Sequence, residues 1–259
     1  IFTTHDPLDL SAVVPKLEHL GFGVANERRF TIKRPDQDNV CLQEFALRYD
    51  GDANWEIVNP ILHDCLADLW LHGAEDDTFN KVVVPAELTG RQVGVLRAYA
   101  HYLKQLVPAH SIEFTSATLH KHAPIAAVLI GLFEARLDPA STADEAVVVA
   151  QIHAELDKVP ALNEDAVLRR MCELIQATDR TSYFRQDATA LALKIAPRRI
   201  ADIPRPVPLA EIFVFSHNVE GVHLRDGVVA RGGLRWSDRY EDYRTEVLGL
   251  VRAQIVKNA

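Results

Sequence analysis

Apolar positions along the first sixty residues follow two rhythms in succession. Leu10, Val13, Val14, Leu17 and Leu20 fall three and four apart, the spacing of one helical face, and Gly21 follows where a helix stop needs a left-handed residue. From Phe22 to Ile32 and from Val40 to Tyr49 the pattern becomes strand-like, parted by the turn-forming Arg34-Pro35-Asp36-Gln37-Asp38-Asn39. With the end of one more strand ahead of the helix, residues 1–60 predict a small α+β module.

The middle of the chain, 61–178, reads as mainly helical. Leu96, Tyr99, Leu103 and Leu106 make one apolar stripe, and Ile125, Leu129, Leu132 and Phe133 another. Pro124 suits the first turn of its helix, where a missing N–H costs nothing. Thr142 with Glu145 is a capping-box signature ahead of Val149, Ile152, Leu156 and Val159. Asn163 is the expected cap of a helix carrying Val167, Met171, Leu174 and Ile175. Such stripes are core-packing faces before they are anything else.

The character changes in 179–259. Ile200 to Leu209 is proline-dense and predicts an extended connector, and Glu211-Ile-Phe-Val-Phe215 a short buried strand. Val222-His-Leu224 and Val228-Val229 flank Asp226-Gly227, a dipeptide favoured in tight hairpin turns. A helix follows from about Asp238, with Tyr243, Val247, Leu250 and Gln254 in one stripe and Leu248, Val251 and Ile255 beside it. That helix is expected to be largely buried. The class is α+β in three parts.

Composition narrows the function. The 259 residues are 48% apolar and 25% charged, as in ordinary globular proteins. Cys41, Cys65 and Cys172 show no paired spacing, which argues against a disulfide framework or a zinc site and suits a reducing cytoplasm. No apolar run has the length of a membrane span, and no signal peptide opens the chain. A net charge of −8 disfavours general nucleic-acid binding. The charge is uneven, however: 194–259 is +3 and the remainder −11, which suits an anionic small-molecule site near the C-terminal end. A chain that starts at Ile1, has Met171 as its only methionine and stops at Ala259 without a polar tail is expected to be an interior piece of something longer.

The segment with the most chemistry is Arg231-Gly232-Gly233-Leu234-Arg235, placed after a predicted strand and before a helix. Paired glycines let backbone approach a ligand closely, and arginines grip carboxylates with two parallel donors. Lys257, 26 positions after Arg231, supplies a second cation for a dicarboxylate. By residue type alone such a run is more often a surface turn with solvated charges than a carboxylate grip. A Gly-Gly pair is also not the spaced-glycine fingerprint of a dinucleotide fold.

The run from Val219 to Arg239, with Tyr243-Arg-Thr-Glu-Val-Leu-Gly-Leu-Val-Arg-Ala-Gln254 and Val256-Lys-Asn-Ala259, resembles the large bacterial NAD-specific glutamate dehydrogenases. Glu75-Asp-Asp-Thr-Phe-Asn80 and Leu96 to Gln105 look like the helical region that precedes that family's catalytic part, and the opening helix and hairpin are similar to an ACT module lacking most of its first strand. The resemblance implies oxidative deamination of L-glutamate to 2-oxoglutarate and ammonium with NAD, by a homo-oligomer joined through the helical and ACT-like regions. It implies an α+β chain made of a truncated ACT-like α/β module, a mainly helical middle and the beginning of an α/β catalytic domain. It also implies substrate-carboxylate contacts from Arg231, Gly232, Gly233 and Lys257, with arginine standing where the smaller enzymes have lysine. The family's catalytic lysine, catalytic aspartate and nucleotide-binding domain fall beyond Ala259, so no catalytic or cofactor-binding residue is assigned and the chain alone is expected to be inactive. A second reading, from the helix-plus-hairpin pattern, is a regulatory or assembly module that senses an amino acid or joins subunits.

Other chemistry-bearing residues have plainer readings. His101, His110, His120 and His122 lack the carboxylate spacing of a metal site. His223 alternates with Val222 and Leu224 and so faces away from them. Glu75-Asp76-Asp77 reads as a solvated helix end, and Ser237 as a helix cap.

Overall fold

Strand β1 (Phe2–Thr3), helix α1 (Leu10–His19), and strands β2 (Gly23–Ile32) and β3 (Val40–Arg48) open the chain as the apolar rhythm predicts. The computed structural model describes residues 1–3, 7–35, 38–107, 110–185, 188, 190–226 and 242–258, with the backbone alone for Phe2 and 254–258. These fall into two units, 1–90 and 91–259.

In the first unit α1 buries Val13 and Leu17 and ends on a left-handed stop. Gly21 takes a φ of +90°, and the N–H of Phe22 donates to the Leu17 carbonyl at 2.9 Å. That bond satisfies a carbonyl the last turn would orphan, in a conformation a side chain would strain. The sheet is antiparallel in the order β1-β3-β2, with Phe2 opposite Leu42 and Thr31 opposite Cys41. Gln43 is its buried polar residue. Its amide accepts from the Leu8 N–H at 2.7 Å and donates to the Leu8 carbonyl at 3.0 Å, tying the approach to α1 onto β3. Helix α2 (Trp55–Ala67), a π-helical turn (Asp68–His72), a 3-10 turn (Thr78–Val82) and the short α3 (Val83–Ala86) complete the unit.

The acidic run there is not a solvated helix end. Asp76 accepts from Lys16 Nζ at 2.9 Å and pairs with His19 Nδ1 at 2.9 Å, while the Asp77 carboxylate accepts from the Phe79 N–H at 2.9 Å. One carboxylate holds the last turn of α1 and the next caps the 3-10 turn.

In the second unit α4 (Gly90–Leu106) is enclosed on most sides, with Leu96, Tyr99, Tyr102 and Leu103 fully buried. Burial of each such side chain is worth about 1.5–3 kcal/mol. After it come α5 (Ile112–Lys121), α6 (Ala123–Leu137), α7 (Glu145–Leu156) and α8 (Leu162–Gln176), with α5, α7 and α8 each packed against α6. Pro124 does occupy the first turn of α6. Two caps differ from expectation. Asp144, not Thr142, caps α7 by accepting from the Ala146 N–H at 2.9 Å, and Glu145, the first helical residue, pairs with Arg136 at 2.7 Å. Helix α8 starts one residue ahead of Asn163, after Ala161, whose carbonyl accepts from the Asp165 N–H at 2.9 Å.

Strands β4 (Thr178–Thr181), β5 (Leu191–Ile195), β6 (Ala210–Ser216) and β7 (Val219–Arg225) form an antiparallel sheet in chain order. Ser216 stands opposite Val219, so His217 and Asn218 make a two-residue hairpin that the sequence pattern did not single out. Leu193, Phe213 and Val222 line up across three strands on one buried face. Helix α9 (Tyr243–Asn258) packs beside β7.

Candidate functional site

Strand β7 ends at Arg225 and α9 begins at Tyr243, so the connection between them carries Arg231, Gly232 and Gly233. These three lie outside the described residues, as do Gly227, Val228, Val229, Trp236, Asp238, Glu241 and Ser237. Lys257 is in the last turn of α9, its side chain also outside the described residues. Side chains fix the start of α9.

Glu211 lies on β6 in phase with Phe213 and Phe215, a carboxylate on an otherwise apolar face. Arg244 enters from the first turn of α9 and answers it with a two-pronged pair: Nε donates to Oε1 at 2.8 Å and Nη2 to Oε2 at 2.9 Å. The two side chains are 1% and 0% exposed, so this is a fully desolvated ion pair. Gln105 Oε1 on α4 accepts from the Arg244 backbone N–H at 3.2 Å, one of the first-turn donors that a helix leaves unsatisfied. Tyr102 lies against the same pair, its ring 5.3 Å from that of Phe213. The Tyr102 hydroxyl and Arg244 Nη1 are enclosed without a hydrogen bond of full geometry, although the phenol interacts with both Glu211 and Arg244.

Electrostatics follow from that enclosure. Burial works to lower the Arg244 pKa, and the Glu211 carboxylate outweighs it and holds the guanidinium above its ordinary value. Burial first, and then Glu211, push the Tyr102 phenol well above its usual range. Removing one member of such a pair leaves an uncompensated buried charge, at about 3–5 kcal/mol.

A second carboxylate holds the neighbouring residue. Glu220, opposite Phe215 across the β6–β7 ladder, pairs with His101 Nδ1 and accepts from the Tyr243 hydroxyl at 3.4 Å. The His101 ring rests 4.9 Å from that of Phe215. Burial and the Glu220 carboxylate both push the Tyr243 phenol upward. Residues 243 and 244 are therefore each tied to a different strand, with α4 contributing His101, Tyr102 and Gln105. Sequence reasoning passed over Glu211, Glu220 and Arg244. The available signal was a charged residue in phase with Phe213 and Phe215.

Other candidates are engaged structurally. His122 Nε2 pairs with Glu164 at 2.8 Å, beside Lys121 Nζ at 2.7 Å. His223 is half-buried while Val222 and Leu224 are buried, as the strand alternation requires. All three cysteines are free and buried, and burial pushes the Cys172 thiol up to about 11. Among the described residues no group of three or more metal-binding side chains converges, and no helix is long and apolar enough to cross a membrane.

Three family models match the chain in succession: the ACT3 domain of glutamate dehydrogenase over 1–59, helical motif 3 of glutamate dehydrogenase over 74–139, and the catalytic domain of bacterial NAD-glutamate dehydrogenase over 151–259. Among curated proteins it is 43% identical over 270 residues to the NAD-specific glutamate dehydrogenase of Halomonas elongata and 43% over 273 residues to that of Pseudomonas aeruginosa, each across 100% of this chain. It is 41% identical over 268 residues to that of Mycobacterium tuberculosis, across 96% of this chain. The chain spans 17% of the length of the first two relatives and 16% of the third. With models of one enzyme's successive regions matching in order over most of its length, the chain belongs to the bacterial NAD-specific glutamate dehydrogenases.

Proposed function

We propose that the whole protein oxidises L-glutamate with NAD and water to 2-oxoglutarate, ammonium and NADH, and that this chain supplies contacts to the substrate's carboxylates. The observation that carries this reading is the unbroken similarity to proteins named NAD-specific glutamate dehydrogenase, at 43% identity across the chain. Within it, 1–60 is the ACT-like module, 61–178 the helical region and 179–259 the start of the substrate-binding part. Arg231 and Lys257 are the two cations for a dicarboxylate, and Gly232 and Gly233 let backbone N–H groups approach it. Arginine where the smaller enzymes use lysine replaces a point charge with a fork.

The dinucleotide does not fit what is described here. Every strand pairing in both sheets is antiparallel, with no parallel βαβ unit among the described residues, so no step is assigned to NAD within this chain. A cytoplasmic homo-oligomer is the setting that three free, buried cysteines and an ACT-like module support. The test is Arg231→Ala in the full-length enzyme. We expect glutamate KM to rise by about tenfold or more, with the KM for NAD little changed. An unaltered glutamate KM and kcat would remove Arg231 from the site.

A further inference from the structure

The three-stranded sheet of the first unit has two unlike faces. On one, Cys41 and Gln43 of β3 are buried, and Gln43 Nε2 donates to Glu27 Oε1 of β2 at 3.0 Å. Strand alternation puts the intervening positions on the other face, which stands open. There Phe30 lies opposite Leu42, Ile32 opposite Val40 and Arg28 opposite Glu44. Phe30 is 47% and Ile32 44% exposed, while Leu42 and Val40 are half-buried. Apolar side chains gathered on an open face and rimmed by charge mark an interaction surface. Arg28 and Glu44 are both exposed, and neither forms an ion pair among the described residues, although the ladder sets them side by side. The outer edge of β2 is the less apt surface. A bulge between Val24 and Asn26 and the charges of Glu27, Arg28 and Arg29 both discourage strand-to-strand pairing there.

We propose that this face packs on the same face of a second copy of the chain, about a two-fold axis parallel to the strands and midway between β2 and β3. It rests on the homo-oligomer proposed above. Such an axis lays β2 of one copy over β3 of the other at the same height, so each ladder row meets its own row with the strands exchanged. Phe30 stands over the second copy's Leu42, Ile32 over its Val40 and Arg28 over its Glu44. A larger apolar side chain faces a smaller one and a cation faces a carboxylate, and the symmetry repeats each contact. Rows on one face recur about every 6.8 Å, and stacked sheets lie about 10 Å apart, a gap that an arginine and a glutamate reaching from opposite sides can span. Charge complementarity names the occupant: on a second copy both the apolar rows and the two unpaired charges find partners.

The experiment uses the full-length enzyme, with Arg28→Glu and Glu44→Arg made separately and the mass of each followed by light scattering over a dilution series. Each change sets like charges against each other across the axis, so self-association should weaken about tenfold or more. Mixing the two variants in equal amounts restores opposite charges at both contacts. The mixture should recover the wild-type mass, and differently tagged copies should co-purify. A different protein, or another segment of the same polypeptide, lying on this face gives no such rescue. Variants that keep the wild-type mass throughout, or a mixture that stays dissociated, overturn the inference. Should a charge reversal not fold, Phe30→Ser is expected to weaken association by a similar factor, and an unchanged mass again overturns it. A wild-type enzyme that is monomeric at every concentration overturns the homo-oligomer as well, whereas an oligomeric wild type with insensitive variants overturns this inference alone.

Discussion

Two tyrosines one turn apart on α4 separate what a buried hydroxyl contributes from what its ring does. The Tyr99 hydroxyl pairs with Thr178 Oγ1 at 2.8 Å, linking the helix to the first strand of the sheet. The Tyr102 hydroxyl is buried against Glu211 and Arg244 without a hydrogen bond of full geometry. Tyr99→Phe should therefore lower stability by about 1 kcal/mol, whereas Tyr102→Phe should be neutral or slightly stabilising. Urea unfolding of the two variants decides it, and a larger loss for Tyr102→Phe would mean that its hydroxyl is bonded after all. The same residues show what a sequence conceals at this scale. The apolar stripe through Tyr99 was legible because burial follows helical spacing. The charge pair was not, because Glu211 and Arg244 are 33 positions apart and no sequence spacing joins them. The phase of Glu211 with Phe213 is the sequence signal of a buried carboxylate, and the register beside Leu224 shows it enclosed and in need of a cation.

Elements with one strong periodicity, such as α1, β2, β3 and the α4 stripe, are where the sequence pattern puts them. Misreadings collect where charged residues enter the pattern. Helix α9 was expected to be largely buried along Tyr243, Val247, Leu250 and Gln254, with Leu248, Val251 and Ile255 beside them. Among the described residues Tyr243, Leu248 and the unforeseen Arg244 are buried, and Leu250 is 45% exposed. At about 100° per residue the buried face is turned towards Arg244, a residue that any hydrophobic stripe leaves out. Asp76 is a second case. Burial works to raise its pKa, yet the bonds from His19 and Lys16 outweigh burial and hold it below the ordinary carboxylate value. A folded-state pKa below the unfolded one means that the stabilisation is present above about pH 4 and is lost as the pH falls through the folded value. Asp76→Asn should thus be less stable than the parent near neutrality, with the gap closing between about pH 5 and pH 2. A gap that stays constant across that range would show that the pair contributes nothing through ionisation.

For the whole molecule, the same antiparallel sheets that make this chain α+β bear on what it does alone. A dinucleotide is held where parallel strands feed helix N-termini, and every described strand pair here runs the other way. The chain matches its relatives over its full length yet spans only 17% of theirs, so the proposed activity draws on more than these residues. The 259-residue chain with glutamate and NAD should give no NADH, while the full-length protein should give it under the same conditions. Because the proposed carboxylate contacts do not require the cofactor, weak glutamate binding by the chain is the expected outcome, and calorimetry with 2-oxoglutarate or glutamate reads that separately. Titrations that track Arg231→Ala would assign binding to the segment before α9. Binding that survives that change but is lost on disrupting the helix-and-hairpin module at 1–60 would instead support the regulatory reading, with an amino acid sensed far from the chemistry.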